Sequence, residues 1–418
     1  MARFLHIADI HLGFDRYDSP ERSVDFFKAL NDVIERYAVQ TQVDFVLIAG
    51  DLFEHRNIQP NVLNQAKAVL RKLKAADIPA LVIEGNHDNR PYGTRTSWLR
   101  YLAEDDLLLL LEPQAEDGGC FTYEPWDAEA KVGGYIDLPC GVRVLGSCWW
   151  GAAAPQTIPA LAAAIEVLPP GPKHTVLMFH HGLEGQIARY NGALRYQELL
   201  PLKAAGVDYL ALGHIHKNYE LEGWIFNPGS LEANSVEEST FERGAYSVEI
   251  SQSGIRAKLE RQYYQRTIHR LRFEATGQET VPELEEKILD YVRGQEIDPK
   301  TRPIVELKIE GQVGFDRLDL DTRGLQRDLK QLTNALVFLL RYDAAAVGYA
   351  TPLSDDSSRI QMEREVFTDE LAANAHYKKQ ATELAQALIG LKEMVLEGRR
   401  EAEVYEFVRS RLQSSNEE

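Results

Sequence analysis

The sequence predicts an α/β fold, with a smaller α+β domain and a helical C-terminal segment behind it. Three observations predict it. Short apolar runs bounded by Gly and polar residues recur through the first 265 residues and read as buried strands. Strand-like and helical stretches alternate from residue 266 to 350. Two helical patterns then follow a polar, turn-rich stretch.

Five of the apolar runs end in residues that bind hard metal ions. Phe4-Leu5-His6-Ile7-Ala8 leads into Asp9 and His11. Phe45-Val46-Leu47-Ile48-Ala49 leads into Gly50-Asp51. Ala80-Leu81-Val82-Ile83 leads, through Glu84, into Gly85-Asn86-His87-Asp88. Val176-Leu177-Met178-Phe179 leads into His180-His181, and Tyr209-Leu210-Ala211-Leu212 into Gly213-His214-Ile215-His216. Ligand sites in open α/β sheets lie beyond the carboxyl ends of the strands. Asp9-x-His11 and His214-x-His216 each put two side chains on one side of an extended segment. Gly50 and Gly85 sit at tight strand exits, where a residue without a Cβ is easiest to accommodate.

This donor mixture implies a two-metal site. A shared carboxylate suits two adjacent ions, and imidazole mixed with oxygen favours manganese, iron or zinc over magnesium or calcium. Such a pair lowers the pKa of a bridging water and clamps both oxygens of an in-line displacement at phosphorus. The implied reaction is phosphoester hydrolysis by a two-metal-activated hydroxide.

With these blocks in this order, the chain resembles the calcineurin-like metallophosphoesterase superfamily, and within it the SbcD-type DNA repair nucleases. Asp9-Ile10-His11-Leu12-Gly13 and Gly50-Asp51-Leu52-Phe53 match that branch, and Asn227-Pro228-Gly229-Ser230 resembles a loop after its last metal motif. Many members carry His three residues after the second Asp; here that residue is Glu54, with His55 next. The resemblance implies a four-layer metallophosphoesterase β-sandwich flanked by helices. It implies that Asp9, His11 and His216 hold one ion, that Asn86, His180 and His214 hold the other, and that Asp51 bridges them. It implies that His87 is catalytic, facing the scissile phosphate, and that Asp88 orients His87. It also implies two divalent ions, most readily Mn2+, and DNA as substrate.

Several histidines and aromatics read as structural. His181, following His180, reads as a packing or rim residue. His6 lies inside the first strand and reads as a satisfied core histidine. His269 and His376 lie outside any motif. Trp149-Trp150, after the strand Val142-Arg143-Val144-Leu145-Gly146, reads as a pair of core anchors in preference to the alternative, a nucleotide-stacking surface.

The bulk numbers fit a cytoplasmic, soluble enzyme: 418 residues, 44% hydrophobic and 26% charged. Three cysteines, Cys120, Cys140 and Cys148, form no metal-type pairing and argue against a disulfide framework. No signal peptide or membrane-length apolar stretch is visible. The net charge of −18 opposes DNA binding, since phosphates attract Lys and Arg. A local basic run, Arg256, Lys258, Arg261, Arg266, Arg270 and Arg272, offsets it.

The domain reading is 1–265 for the nuclease core, 266–350 for a capping domain, 351–365 for a linker and 366–418 for a C-terminal helical segment. In the capping domain, Ile268 to Phe273, Ile304 to Ile309 and Val337 to Leu340 read as strands. Pro282 to Val292 reads as a helix with Leu284, Ile288 and Val292 four apart, and Leu318 to Leu332 as another. Thr351 to Ser358 reads as a linker. Residues 376–397 place Ala381, Leu384, Leu388, Leu391 and Val395 on one stripe, and residues 400–412 add Val404, Phe407, Val408 and Leu412. Such a stripe needs an apolar cover. In the resembling family a helical pair of this kind docks on the coiled coil of an SbcC-like SMC-type ATPase. The helix Pro60 to Lys74, with Val62, Leu63, Ala66, Val69, Leu70 and Leu73, carries more apolar surface than one packed face needs. Together with Trp98, Leu99 and Leu102 it points to a homodimer. The expected function is therefore a manganese-dependent DNA nuclease, the nuclease subunit of an SbcCD-like repair complex. The alternative is a metal-dependent phosphodiesterase or phosphatase acting on a small nucleotide or other phosphoester.

Overall fold

The computed structural model describes residues 1–91, 93–94, 96–116, 119–187, 192–346, 359–372, 377, 380–396 and 399–414. The chain divides into two compact units, Met1–Ile268 and His269–Glu418.

The first unit opens with β1 (Ala2–Ile7), α1 (Pro20–Ile34), β2 (Phe45–Ala49), α2 (Pro60–Ala75), β3 (Ala80–Ile83), α3 (Trp98–Glu104) and β4 (Leu109–Leu110). A small antiparallel ribbon follows, β5 (Gln114–Ala115) with β6 (Phe121–Thr122). Then come β7 (Tyr135–Leu138), β8 (Val142–Leu145), α4 (Ala154–Glu166), β9 (His174–His180), α5 (Tyr196–Ala204), β10 (Tyr209–Gly213), β11 (Tyr219–Leu221) and β12 (Ile225–Asn227). The hairpin β13 (Ala245–Ser251) and β14 (Gly254–Glu260) completes it.

These strands form two six-stranded sheets, ordered β14-β13-β1-β2-β3-β4 and β11-β12-β10-β9-β8-β7. Strands β1 to β4 run parallel, as do β8, β9, β10 and β12. Their near-continuous apolar sequences follow from burial on both faces. Phe4, Phe45, Leu47, Leu81, Val144, Val176, Met178 and Tyr209 point into the space between the sheets. Leu5, Ile7, Val46 and Ile48 point outward, against α1, α2 and α3. On the other side, Leu177, Phe179, Leu210 and Leu212 pack under Ile158, Leu161 and Leu199 of α4 and α5. The result is a helix–sheet–sheet–helix sandwich of four layers.

Aromatic contacts knit the inner layer. Phe4 stacks on Phe45 at 4.7 Å and meets Tyr209 of the facing sheet edge-on at 5.3 Å. His6 sits in the same layer, fully buried, with Nδ1 2.9 Å from the Tyr209 hydroxyl and Nε2 3.0 Å from the Leu212 carbonyl. Burial pushes its pKa down to about 3, so it is a neutral cross-sheet hydrogen-bonding group.

One expectation about α2 changes. Val62, Ala66, Val69, Leu70 and Leu73 are buried in the core that covers the first sheet. Intrachain packing therefore accounts for nearly all of the helix's apolar surface, leaving Leu63 and Trp98 half-buried and Tyr101 exposed.

In the second unit, β15 (Ile268–Thr276), β16 (Ile304–Val313), β17 (Val337–Tyr342) and β18 (Ala345–Ala346) form a four-stranded sheet. The helices α6 (Val281–Arg293) and α7 (Thr322–Thr333) cover it. Leu284, Ile288 and Val292 are buried, as their spacing of four implies, and a Thr280–Glu283 capping box starts α6. Helix α7 starts later than its apolar pattern suggested. Leu318 lies in a separate 3-10 turn, and the Asp321 side chain caps the helix by accepting from the Gly324 amide at 2.9 Å.

Three further helices follow, α8 (Arg359–Ala372), α9 (Ala381–Leu396) and α10 (Glu401–Ser414). The residues Thr351 to Ser358 lie outside the described residues, but residues 359–365, read as linker, are helical. The buried row of α9 is Ala381, Ala385 and Ile389, one step round from the expected stripe. Leu388 stays 38% exposed and Val395 60% exposed. Among the described residues, no helix is long and apolar enough to cross a membrane.

Candidate metal centre

The carboxyl ends of β1, β2, β3, β9 and β10 converge on one rim. The Asp9–Leu12 segment runs beside Gly50–Leu52 through amide hydrogen bonds, among them Ile10 N to Asp51 O at 2.8 Å and Leu12 N to Leu52 O at 2.9 Å. Asp9, His11, Asp51 and His214 all adopt positive φ, at 51°, 53°, 52° and 84°. Such backbone costs roughly 1–3 kcal/mol per residue and clusters where function requires it. Gly50 and Gly85 leave room that a Cβ would fill: at Gly50 it would collide with the His180 ring, and at Gly85 with the Asp51 carboxylate.

Two groups of donors carry the expected ligands, and a third, His11 with Glu54 and His87, adjoins them. Asp9, His11 and His216 form one, with His11 Nε2 and His216 Nε2 3.1 Å apart. Asp51, His180 and His214 form the other. His180 Nε2 lies 3.2 Å from Asp51 Oδ2 and 3.2 Å from Asn86 Oδ1, and His214 Nδ1 lies 2.7 Å from Asn86 Oδ1. Ligands around an ion bound at ~2.1 Å sit ~3 Å from one another, so this donor set fits divalent cations. The seven residues Asp9, His11, Asp51, Asn86, His180, His214 and His216 could all hold metal. Backbone amides steady the carboxylates: His214 N donates to Asp9, and His87 N donates to Asp51 Oδ1, each at 2.9 Å.

The electrostatics follow from burial and pairing. Burial alone would raise Asp51, but the charge and hydrogen bond of His180 hold it well below the usual carboxylate range. Burial would lower His180, yet Asp51 raises it to about 9. Burial likewise opposes charge on His216, but Glu238 raises it to about 9. Burial and neighbouring His180 push His214 down to about 3.

These values predict a pH dependence. A histidine raised above its ordinary value of 6.5 stabilises the metal-free fold fully below 6.5. That contribution is lost as pH rises through 9. Metal ligation needs the neutral ring. The Tm of the chelated protein should therefore fall between pH 7 and 9 while metal affinity rises over the same window. Melting curves with chelator and with added metal check both trends.

His87 stands beside these donors, its ring perpendicular to that of His11 at 4.9 Å. Its Nδ1 donates to the Glu54 carbonyl at 2.8 Å, leaving Nε2 as the reactive nitrogen. Glu54, His55, Arg56, Asn57, Asn86 and His87 line an open cleft of about 500 Å³. The expected role of Asp88 is corrected here. Its buried carboxylate accepts from the amides of Gly85 (2.8 Å), Leu52 (2.8 Å) and Phe53 (3.3 Å). It clamps the β2 and β3 exit loops together and does not orient the His87 ring. Both oxygens of so short a side chain are committed to those amides.

His181 turns Nδ1 toward the Gly182 carbonyl and Nε2 toward the Gly151 carbonyl, each at 3.1 Å, away from the donor groups. His55 faces Asp15 at 3.1 Å. Trp149 is not a core anchor as expected. It is half-buried and packs on His214 at 5.0 Å, His180 at 5.7 Å and His181 at 5.6 Å, forming a wall of the site. Glu238 was not legible in the sequence, because it lies 22 residues beyond His216 outside any ligand motif.

Residues 2–218 match the family model for calcineurin-like phosphoesterases. The chain belongs to the calcineurin-like phosphoesterase family. Members of this family hydrolyse phosphoesters through a binuclear divalent metal centre, and the donor groups here are candidates for its ligands. The chain is 31% identical over 248 residues to the DNA double-strand break repair protein Mre11 of Archaeoglobus fulgidus, covering 57% of this chain and 52% of that protein. To the Mre11 proteins of Saccharolobus solfataricus and Methanosarcina acetivorans it is 28% and 32% identical, over 263 and 242 residues. Those matches cover 60% and 57% of this phosphoesterase, and 61% and 35% of the relatives. The chain thus spans about a third to three-fifths of these relatives' lengths.

Proposed function

We propose that this phosphoesterase is a manganese-dependent DNA nuclease, the nuclease subunit of an SbcCD-like repair complex. The observation that carries the reading is the pairing of the seven-residue donor set with His87 in a chain whose relatives bear the name of a DNA double-strand break repair protein. Two bound ions would lower the pKa of a water between them and neutralise the phosphate. The chain's own residues hold and orient the rest. Asp51, with Oδ2 beside His180 Nε2, would bridge the two ions. Asp88 keeps the loops of Asp51 and Asn86 in register. His87, its Nδ1 fixed by the Glu54 carbonyl, stabilises or protonates the leaving oxygen through Nε2.

A second reading has its own observation. The basic run expected to face DNA is largely neutralised within the chain: Lys258 pairs with Glu260, Arg261 with Glu242, Arg266 with Asp25, Arg270 with Glu306 and Arg272 with Glu310. This favours a small phosphodiester or phosphomonoester substrate. End-labelled linear DNA, cyclic nucleotides and generic phosphoesters, each assayed with manganese and with or without a co-encoded ATPase, separate the two. Preference for DNA supports the nuclease; turnover confined to small esters overturns it.

The partner is an elongated SMC-type ATPase docked on α9 and α10. Leu388, Val395 and Tyr405 are 38%, 60% and 68% exposed, leaving apolar surface to cover. Leu388→Asp with Leu391→Asp should abolish ATPase binding, since burying an unpaired charge costs several kcal/mol at least, while basal phosphodiesterase activity persists. Pull-down and turnover measured on the same preparation check this. Pairing of two copies would use the remaining surface at Leu63, Trp98 and Tyr101, and light scattering at micromolar concentration should then report a dimer.

A further inference from the structure

One half of the metal centre has a carboxylate behind each imidazole. His216 Nδ1 donates to Glu238 Oε1 at 3.0 Å. Glu238 is itself pinned: its Oε2 accepts from the Asn234 amide at 2.8 Å, and its carbonyl accepts from Arg243 Nη1 at 2.5 Å. On the adjoining ligand, Glu54 Oε2 lies 2.7 Å from His11 Nδ1, close enough for an ion pair though off the axis of a ring N–H. With His216 Nδ1 hydrogen-bonded and a carboxylate beside His11 Nδ1, the two Nε2 atoms face one another across 3.1 Å. The other half is built differently. His180 turns Nδ1 to the neutral Ala49 carbonyl at 2.7 Å, so no carboxylate stands behind its ring; its Nε2 has the uncharged Asn86 and the Asp51 carboxylate beside it, each at 3.2 Å.

We propose that Glu238, seconded by Glu54, makes the two halves of the centre unequal. Acting through His216, it is a positioning residue that makes Asp9–His11–His216 the tighter cation site, filled before Asn86–His180–His214. A carboxylate on the far ring nitrogen fixes the tautomer, aims Nε2 and raises its basicity. A backbone carbonyl fixes the tautomer equally well but adds no charge. The side chains of Glu238 and Glu54 are only 16% and 15% exposed, so solvent screens their charges weakly. The proposal rests on the binuclear reading of the site.

The test is a titration of the metal-free full-length chain with Mn2+, following free ion by electron paramagnetic resonance. The wild type should bind in two resolvable steps, and Asn86→Ala should remove the weaker. Glu238→Gln keeps the size and one acceptor oxygen but removes the charge. It should weaken the tighter step by about 10-fold to 100-fold and leave the weaker within about two-fold. A loss confined to the tighter step, with the weaker step kept, is what a merely structural role does not predict. Glu54→Gln should weaken the same step by less. Two equal steps in the wild type, a Glu238→Gln titration identical to wild type, or a loss confined to the weaker step would each overturn the proposal. A wild-type chain holding fewer than two ions would instead bring down the binuclear reading, and the proposal with it.

Discussion

Replacing Asp51 by Asn should abolish hydrolysis while leaving the fold intact. Asp51 is the carboxylate both donor groups can share, with Oδ2 3.2 Å from His180 Nε2 and its other oxygen held by the His87 amide. Asn preserves that amide contact and the side-chain volume. It removes the one charge positioned to serve two cations. Metal content should drop below two ions per chain, and turnover should fall on the order of 10³-fold or more, at least the scale of one lost electrostatic stabiliser. Metal analysis and steady-state turnover on the same sample check this. Full activity with two ions bound would remove Asp51 from the bridging position.

His87→Ala should separate chemistry from metal binding. The ring lies across the His11 ring and is fixed by the Glu54 carbonyl, and it stands outside the two groups that carry the expected ligands. Both ions should bind as before, while cleavage slows by roughly two to four orders of magnitude, the scale of a lost general acid with its electrostatic contribution. His180→Ala should do the opposite and lose an ion. His181→Ala should keep both, because its two ring nitrogens already face carbonyls.

The strand ends were legible because each ligand block is local. An apolar run fixes the strand, and the next two to five residues carry the donors, so spacing alone carries the geometry. Burial on both faces made those runs near-continuous, and the four layers follow from that. What escaped the sequence depends on tertiary placement. The family resemblance implied that Asp88 orients His87. Asp88 clamps amides 36 and 35 residues away instead. Glu238 reaches His216 from a 3-10 turn that no periodicity marks. Trp149 reads as core by composition, yet it stands at the end of β8 against three histidines. The apolar excess of α2 is absorbed by its own core, since a helix wedged between α1 and a sheet buries more than one narrow stripe. The basic run after residue 250 meets acids that its own local sequence only partly shows: Glu260 is two residues from Lys258, but Asp25 and Glu306, which pair with Arg266 and Arg270, come from distant segments.

The most direct test of the account is the number of ions the wild-type chain holds after equilibrium dialysis against Mn2+, measured by elemental analysis. Two ions per chain, falling to one in Asn86→Ala, is the predicted result. A single ion in the wild type, or two undiminished in that variant, would contradict a binuclear centre built from these seven residues.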